Sequence, residues 1–106
     1  MLSFIKKLLG GGPKTDYAAL LQQGAMIIDV RTKEEYRGGH LPKSLNIPLD
    51  TLKQRLSGLE KDRCIIACCA SGMRSGLAKR MLQSHGFKEV YNGGRWTNLK
   101  PFIKLI

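Results

Sequence analysis

Residues 69–75 read Cys69-Ala70-Ser71-Gly72-Met73-Arg74-Ser75, a thiol followed by small residues, one arginine and a hydroxyl. An apolar run, Cys64-Ile65-Ile66-Ala67-Cys68, precedes this segment, and a helical pattern follows it. A loop between a strand and a helix aims successive backbone N–H groups at one point, and the helix amino terminus adds partial positive charge there. A thiol inside such a ring of donors loses its proton more easily than a free cysteine does. Ser71 and Gly72 let the loop curl closely, and Arg74 brings a planar, always charged fork suited to an oxyanion. Together these groups describe a nucleophilic thiolate in an anion cradle. A buried Cys69 ahead of an ordinary capping loop would need neither the glycine nor the arginine.

Composition narrows the partners of such a thiolate. A length of 106 residues is one domain's worth, and 42% hydrophobic with 25% charged residues is ordinary globular usage. Eighteen Lys and Arg against eight Asp and Glu give +10 at pH 7, which favours an anionic partner. Nucleic acid is not expected: there is no Cys/His finger spacing, no aromatic-glycine ribonucleoprotein signature and only 7% aromatic residues. The longest apolar stretch, residues 64–70, is far too short to cross a bilayer.

The three cysteines, Cys64, Cys68 and Cys69, crowd into one short segment. If the segment is a strand, Cys64 and Cys68 lie about 13 Å apart and cannot bridge. A vicinal Cys68–Cys69 bond would be strained. No CxxC pair occurs and His40 and His85 are remote in sequence, so no structural metal site is expected. The reading is a reduced chain in the cytoplasm.

The elements that must position the loop follow from periodicity. Residues 1–12 form an apolar, basic segment with a Gly10–Gly12 hinge, and residues 13–106 form the domain. Lys6 and Lys7 interrupt the apolar start, so no export leader is expected. Thr15 or Asp16 caps a short helix that ends at Gly24. Residues 26–30 read as a buried strand, 45–47 as a second, and 64–68 as a third. Asp50 or Thr51 caps a helix striped by Leu52, Leu56 and Leu59. Residues 75–85 form the clearest helix, with Leu77, Ala78, Met81 and Leu82 on one face and Gly86 as the stop. Val90-Tyr91 is a further strand, and a last helix starts near Trp96. Alternating strands and helices predict an α/β fold, a small parallel β-sheet flanked by helices on both faces. Ligands of such sheets bind beyond the carboxyl ends of the strands, where Asp29 and Cys69 fall.

Four segments in order resemble the single-domain rhodaneses, sulfurtransferases of the thiosulfate–cyanide type. They are Ile28-Asp29-Val30-Arg31 with Glu34-Glu35-Tyr36; Gly39-His40-Leu41-Pro42 through Asn46-Ile47-Pro48-Leu49; Cys69 to Ser75; and Gly86-Phe87 through Val90 to Gly93-Gly94. The resemblance spans residues 15–98. It implies that Cys69 is the catalytic residue and carries sulfur as a persulfide. The loop Ala70, Ser71, Gly72, Met73, Arg74 and Ser75 would cradle that persulfide and the anionic donor. Asp29 and Arg31 would brace the site, and His40 would serve a structural turn. No metal or organic cofactor is called for. The partners implied are a small anionic sulfur donor and a thiol or cyanide acceptor. Two positions depart from the family pattern: Trp96 follows Gly94 after only Arg95, and Cys68 replaces a residue that is often aromatic.

The cysteine doublet leaves a second reading open. Counted from Cys68, the string Cys68-x5-Arg74 fits the signature of Cys-dependent phosphatases. Ala67 in place of the usual His, and the expected opposite orientation of neighbouring strand side chains, favour Cys69. Adjacency also suggests that Cys68 could resolve or protect a Cys69 persulfide. A non-catalytic rhodanese-like interaction domain is the third possibility. The apolar, basic ends, residues 1–9 and 101–106, are read as packing on the domain, with peripheral membrane contact as the sharper alternative. Nothing in the pattern demands more than a monomer.

Overall fold

The computed structural model describes residues 15–103. The two apolar ends therefore lie largely outside the described residues. Helix α1 spans Tyr17–Gln22, and the Asp16 side chain accepts the Ala19 N–H at 3.0 Å as its cap. Strand β1 spans Met26–Asp29, one residue shorter than its apolar run. The Asp29 carboxylate takes the Arg31 N–H at 3.0 Å and turns the chain away.

Helix α2, Lys33–Arg37, has no counterpart in the periodicity reading. Its signal is a capping box: Thr32 accepts from the Glu35 N–H, and the Glu35 carboxylate takes the Thr32 N–H. Strand β2 is Leu45–Asn46, and helix α3, Leu49–Arg55, begins directly after Pro48. The expected caps Asp50 and Thr51 instead lie inside the helix, and Thr51 donates its hydroxyl to the Pro48 carbonyl at 3.0 Å. A proline before the first turn pre-sets the backbone without needing a side-chain cap. A 3-10 turn, Leu56–Gly58, follows.

Strand β3 spans Ile65–Cys69 and helix α4 spans Met73–Ser84, so Ala70, Ser71 and Gly72 alone connect them. Both boundaries differ from the sequence reading, the strand running later and the helix starting earlier. Gly72 makes this short link possible with φ +101°, a left-handed conformation that L side chains rarely adopt. Ala78 and Leu82 are buried as expected, whereas Leu77 turns outward and is 49% exposed. The buried stripe of α4 runs through Ser75 instead.

Strand β4 is Val90–Arg95, longer than its two apolar residues suggest. A bulge explains why. Ala67 pairs with Asn92 and Cys68 with Gly94, which leaves Gly93 as the extra residue. A 3-10 turn, Trp96–Leu99, leads into helix α5, Lys100–Ile103.

The four strands are parallel in the order β2-β1-β3-β4. Side chains alternate along β3: Ile65, Ala67 and Cys69 join Leu52, Ala78, Leu82 and Val90 in one core layer. Ile66 and Cys68 join Leu21, Leu41 and Leu99 in the other, where Tyr17, Trp96 and Phe102 also pack. The fold is the expected α/β arrangement with helices on both faces.

At the bulge, a Cβ on Gly93 would stand 2.9 Å from Ile66 Cγ2 and 3.2 Å from the Ala67 carbonyl. Gly93→Ala therefore destabilises the protein by about 1–3 kcal/mol through overpacking. Urea denaturation measures the loss, and an unchanged midpoint would show that the sheet yields there at no cost.

Candidate active site

Cys69 ends β3 with its sulfur beneath the start of α4. Its Sγ accepts the Gly72 N–H at 2.9 Å and the Ser75 N–H at 3.4 Å, and the Ser75 hydroxyl lies at 3.3 Å. Gly72 occupies the cap position of α4 without any side-chain cap, so the sulfur accepts the N–H that a capping oxygen would otherwise take. Burial by itself would push the Cys69 thiol up. Hydrogen bonds from the Ser75 hydroxyl and from the N–H groups of Ser75, Ser71 and Gly72 outweigh it, and the thiol is held below its ordinary value.

The neighbouring thiols differ. Cys68 points into the opposite core layer, and burial, reinforced by Asp29, pushes its thiol up to about 12. Cys64 is also raised, by burial and then Glu89. The loop donors converge on Cys69 rather than Cys68, which removes the support for counting the signature from Cys68. Cys68 and Cys69 thus face different core layers despite their adjacency.

Asp29 and Arg31 form a buried pair at the end of β1. Arg31 donates Nε to both Asp29 oxygens at 3.0 Å and Nη2 to Oδ2 at 2.8 Å. The guanidinium also reaches the carbonyls of Glu35 (3.3 Å) and Gly39 (2.7 Å) and lies 4.6 Å from the centre of the Trp96 ring. Arg31 thus ties the end of β1 to α2 and to the turn before His40. His40 stacks on Tyr36, with ring centres 3.9 Å apart, and its Nδ1 meets the Tyr36 carbonyl at 2.8 Å. That is a turn-holding position.

Arg74 is placed differently from a free cation. Its Nη1 and Nη2 meet Glu35 Oε1 and Oε2 at 2.7 and 3.0 Å, leaving its remaining N–H donors for other partners. Of the other loop residues, Ala70, Ser71 and Met73 are exposed and Gly72 half-buried. Ser75 is fully buried. Two residues of the arrangement carry no site role in the sequence reading: Glu35, which appears there only within the segment Glu34-Glu35-Tyr36 and whose Thr-x-x-Glu context is its signal, and Asn92. Asn92 accepts from the Ser75 hydroxyl at 2.6 Å and from the Gly94 N–H at 2.9 Å, and donates to the Gly72 carbonyl at 3.1 Å. Among the described residues, no group of His, Cys, Asp and Glu is placed to hold a metal ion, and no helix is long and apolar enough to cross a membrane.

Residues 14–94 match the family described as Rhodanese-like domain. The chain belongs to the rhodanese-like family. It is 41% identical over 68 residues to YqhL of Bacillus subtilis (strain 168), covering 64% of this chain and 54% of that protein. It is 36% identical over 69 residues to the thiosulfate sulfurtransferase PspE of Escherichia coli (strain K12), covering 63% of this chain and 66% of that one. The chain thus spans about half to two thirds of these relatives' own length. A solved structure titled "rhodanese with anions from E. coli" is similar with a TM-score of 0.66 and 32% identity, over 71% of this chain and 91% of that one.

The Glu35–Arg74 pair yields a prediction with a defined sign. The Arg74 guanidinium, helped by Thr32, holds the Glu35 carboxyl down at about 2 from an ordinary 4.5. Its contribution to stability is therefore complete above pH 4.5 and is lost as the pH falls toward 2. Because the pair is one-third exposed, Glu35→Gln costs only about 0.5–1 kcal/mol at neutral pH. Denaturation at stepped pH should show the gap between the variant and the parent protein closing below pH 4.5. A gap that persists undiminished in strong acid would contradict the assignment.

Proposed function

We propose that the protein is a sulfurtransferase that moves a sulfane sulfur from an anionic donor to a thiophilic acceptor through a persulfide on Cys69. The observation that carries this reading is the convergence of the Gly72 and Ser75 N–H groups on the Cys69 sulfur. The similarity to proteins named thiosulfate sulfurtransferase supports it.

That geometry supports the following reaction. The Cys69 thiolate attacks the outer sulfur of thiosulfate, the sulfur–sulfur bond of the donor breaks, and sulfite leaves with the electron pair. The negative charge now sits on the outer sulfur of the Cys69 persulfide. The loop N–H groups, fixed before the reaction, stabilise that charge without reorganising. Cyanide or a thiolate then attacks the outer sulfur, and Cys69 departs as the thiolate that began the cycle. A persulfide donor enters by the same exchange, releasing a thiolate in place of sulfite. The leaving groups carry their own charge, so the cycle needs no proton donor and gives His40 no chemical step.

In this reading Ala70, Ser71, Gly72, Met73, Arg74 and Ser75 hold the donor and the persulfide, with Asp29 and Arg31 bracing the loop from β1. The protein is taken to act as a monomer, and its free thiols at Cys64, Cys68 and Cys69 fit a reducing compartment such as the cytoplasm.

Intact mass spectrometry before and after thiosulfate tests the proposal. The expected result is a gain of one sulfur atom, removed by cyanide, retained in Cys68→Ser and absent in Cys69→Ser. No added sulfur with thiosulfate or with glutathione persulfide would overturn it and favour a binding domain.

A further inference from the structure

The orientation of the Asn92 amide is fixed by chemistry. The Gly94 N–H can only donate and the Gly72 carbonyl can only accept, so Oδ1 faces the first at 2.9 Å and Nδ2 the second at 3.1 Å. Oδ1 therefore also faces the Ser75 hydroxyl, at 2.6 Å. An amide oxygen carries no proton, so the single hydroxyl proton of Ser75 lies on that line. Ser75 then meets the Cys69 sulfur, 3.3 Å away, with a lone pair. It accepts from the S–H form, and it donates to the thiolate only by turning its proton away from Asn92.

The surrounding chain is shaped to hold this amide. A Cβ on Gly76 would come within 3.3 Å of Asn92 Nδ2. Tyr17 of α1 donates its hydroxyl to the Asn92 carbonyl at 3.0 Å. The bulge at Gly93 sets Asn92 opposite Ala67 while bringing Gly94 back under the amide oxygen. The nearby charges are paired: Arg74 of α4 with Glu35 of α2, and Arg31 with Asp29 at the end of β1. The Ser75 hydroxyl, whose proton can turn between Asn92 and the sulfur, is the mobile group beside Cys69.

We propose that Asn92 is a positioning residue whose amide oxygen competes with the Cys69 thiolate for the one proton of Ser75, and so sets how readily the sulfur takes up negative charge. The proposal rests on Cys69 being the nucleophile. In the resting thiol the S–H donates to Ser75, and Ser75 donates to Asn92. When the sulfur gives up its proton to solvent, the hydroxyl turns to donate to the thiolate, and Asn92 Oδ1 keeps the Gly94 N–H.

The pH dependence of Cys69 alkylation by iodoacetamide, followed by peptide mass spectrometry on the full chain, tests this. Alkylation requires no sulfur transfer, so failure of the sulfurtransferase reading would leave the titration interpretable. Asn92→Ala should lower the Cys69 midpoint by roughly 0.5–1 pH unit, because the Ser75 proton is released to the thiolate. In a Ser75→Ala background the same substitution should not lower it. Asn92→Asp keeps an acceptor for Ser75 and adds negative charge, and its midpoint should stay at or above that of the parent protein. A midpoint that rises or holds in Asn92→Ala would mark a loop brace only and overturn the proposal. So would an equal fall in the Ser75→Ala background. Should Asn92→Ala fail to fold, a lowered midpoint in Asn92→Asp overturns the proposal and an unlowered one supports it.

Discussion

The sulfur of Cys69 stands where a capping side chain of helix α4 would stand. The Gly72 and Ser75 N–H groups have no carbonyl four residues back to bond, and they end on this sulfur instead. The sulfur thereby satisfies two N–H groups of the helix end, fixes a connection of only three residues, and sits among donors. The same N–H groups that cap the helix favour negative charge on sulfur, so the local fold and the proposed chemistry have a common origin. Replacing the sulfur with an ordinary capping oxygen would preserve the cap and lose the proposed nucleophile.

The rest of the domain keeps that contact in register. Alternation along β3 sends Cys69 toward α4 and Cys68 into the opposite layer, so only one of two adjacent thiols meets the helix end. From β1, the Asp29–Arg31 pair and the Trp96 ring lock α2 in place. Glu35 of α2 in turn holds Arg74 of the loop. From β4, Asn92 bonds the Gly72 carbonyl and the Ser75 hydroxyl. The loop is braced from both neighbouring strands.

Much of this was legible in the sequence, for identifiable reasons. Buried parallel strands are continuously apolar, so 26–30 and 64–68 showed β1 and β3 to within one residue. The thiol, Gly72 and Arg74 are close in sequence, so their grouping was visible too. What escaped depends on contacts distant in sequence or on glycine. The apolar signal of strand β4 stops early because Gly93 and Gly94 carry no strand signal, although their bulge positions Asn92. Arg74 looked free because its partner Glu35 lies 39 residues earlier. Helical spacing alone puts Leu77 with the core, because it does not say that Ser75 occupies the buried stripe.

A crystal structure of the protein after treatment with thiosulfate is the most direct test of the central claim that the loop N–H groups hold charge on sulfur attached to Cys69. The account predicts one additional sulfur bonded to Cys69 Sγ, within hydrogen-bond distance of N–H groups from the segment Ala70 to Ser75. Additional sulfur on Cys64 or Cys68, or a Cys69 persulfide that touches none of these N–H groups, would contradict it.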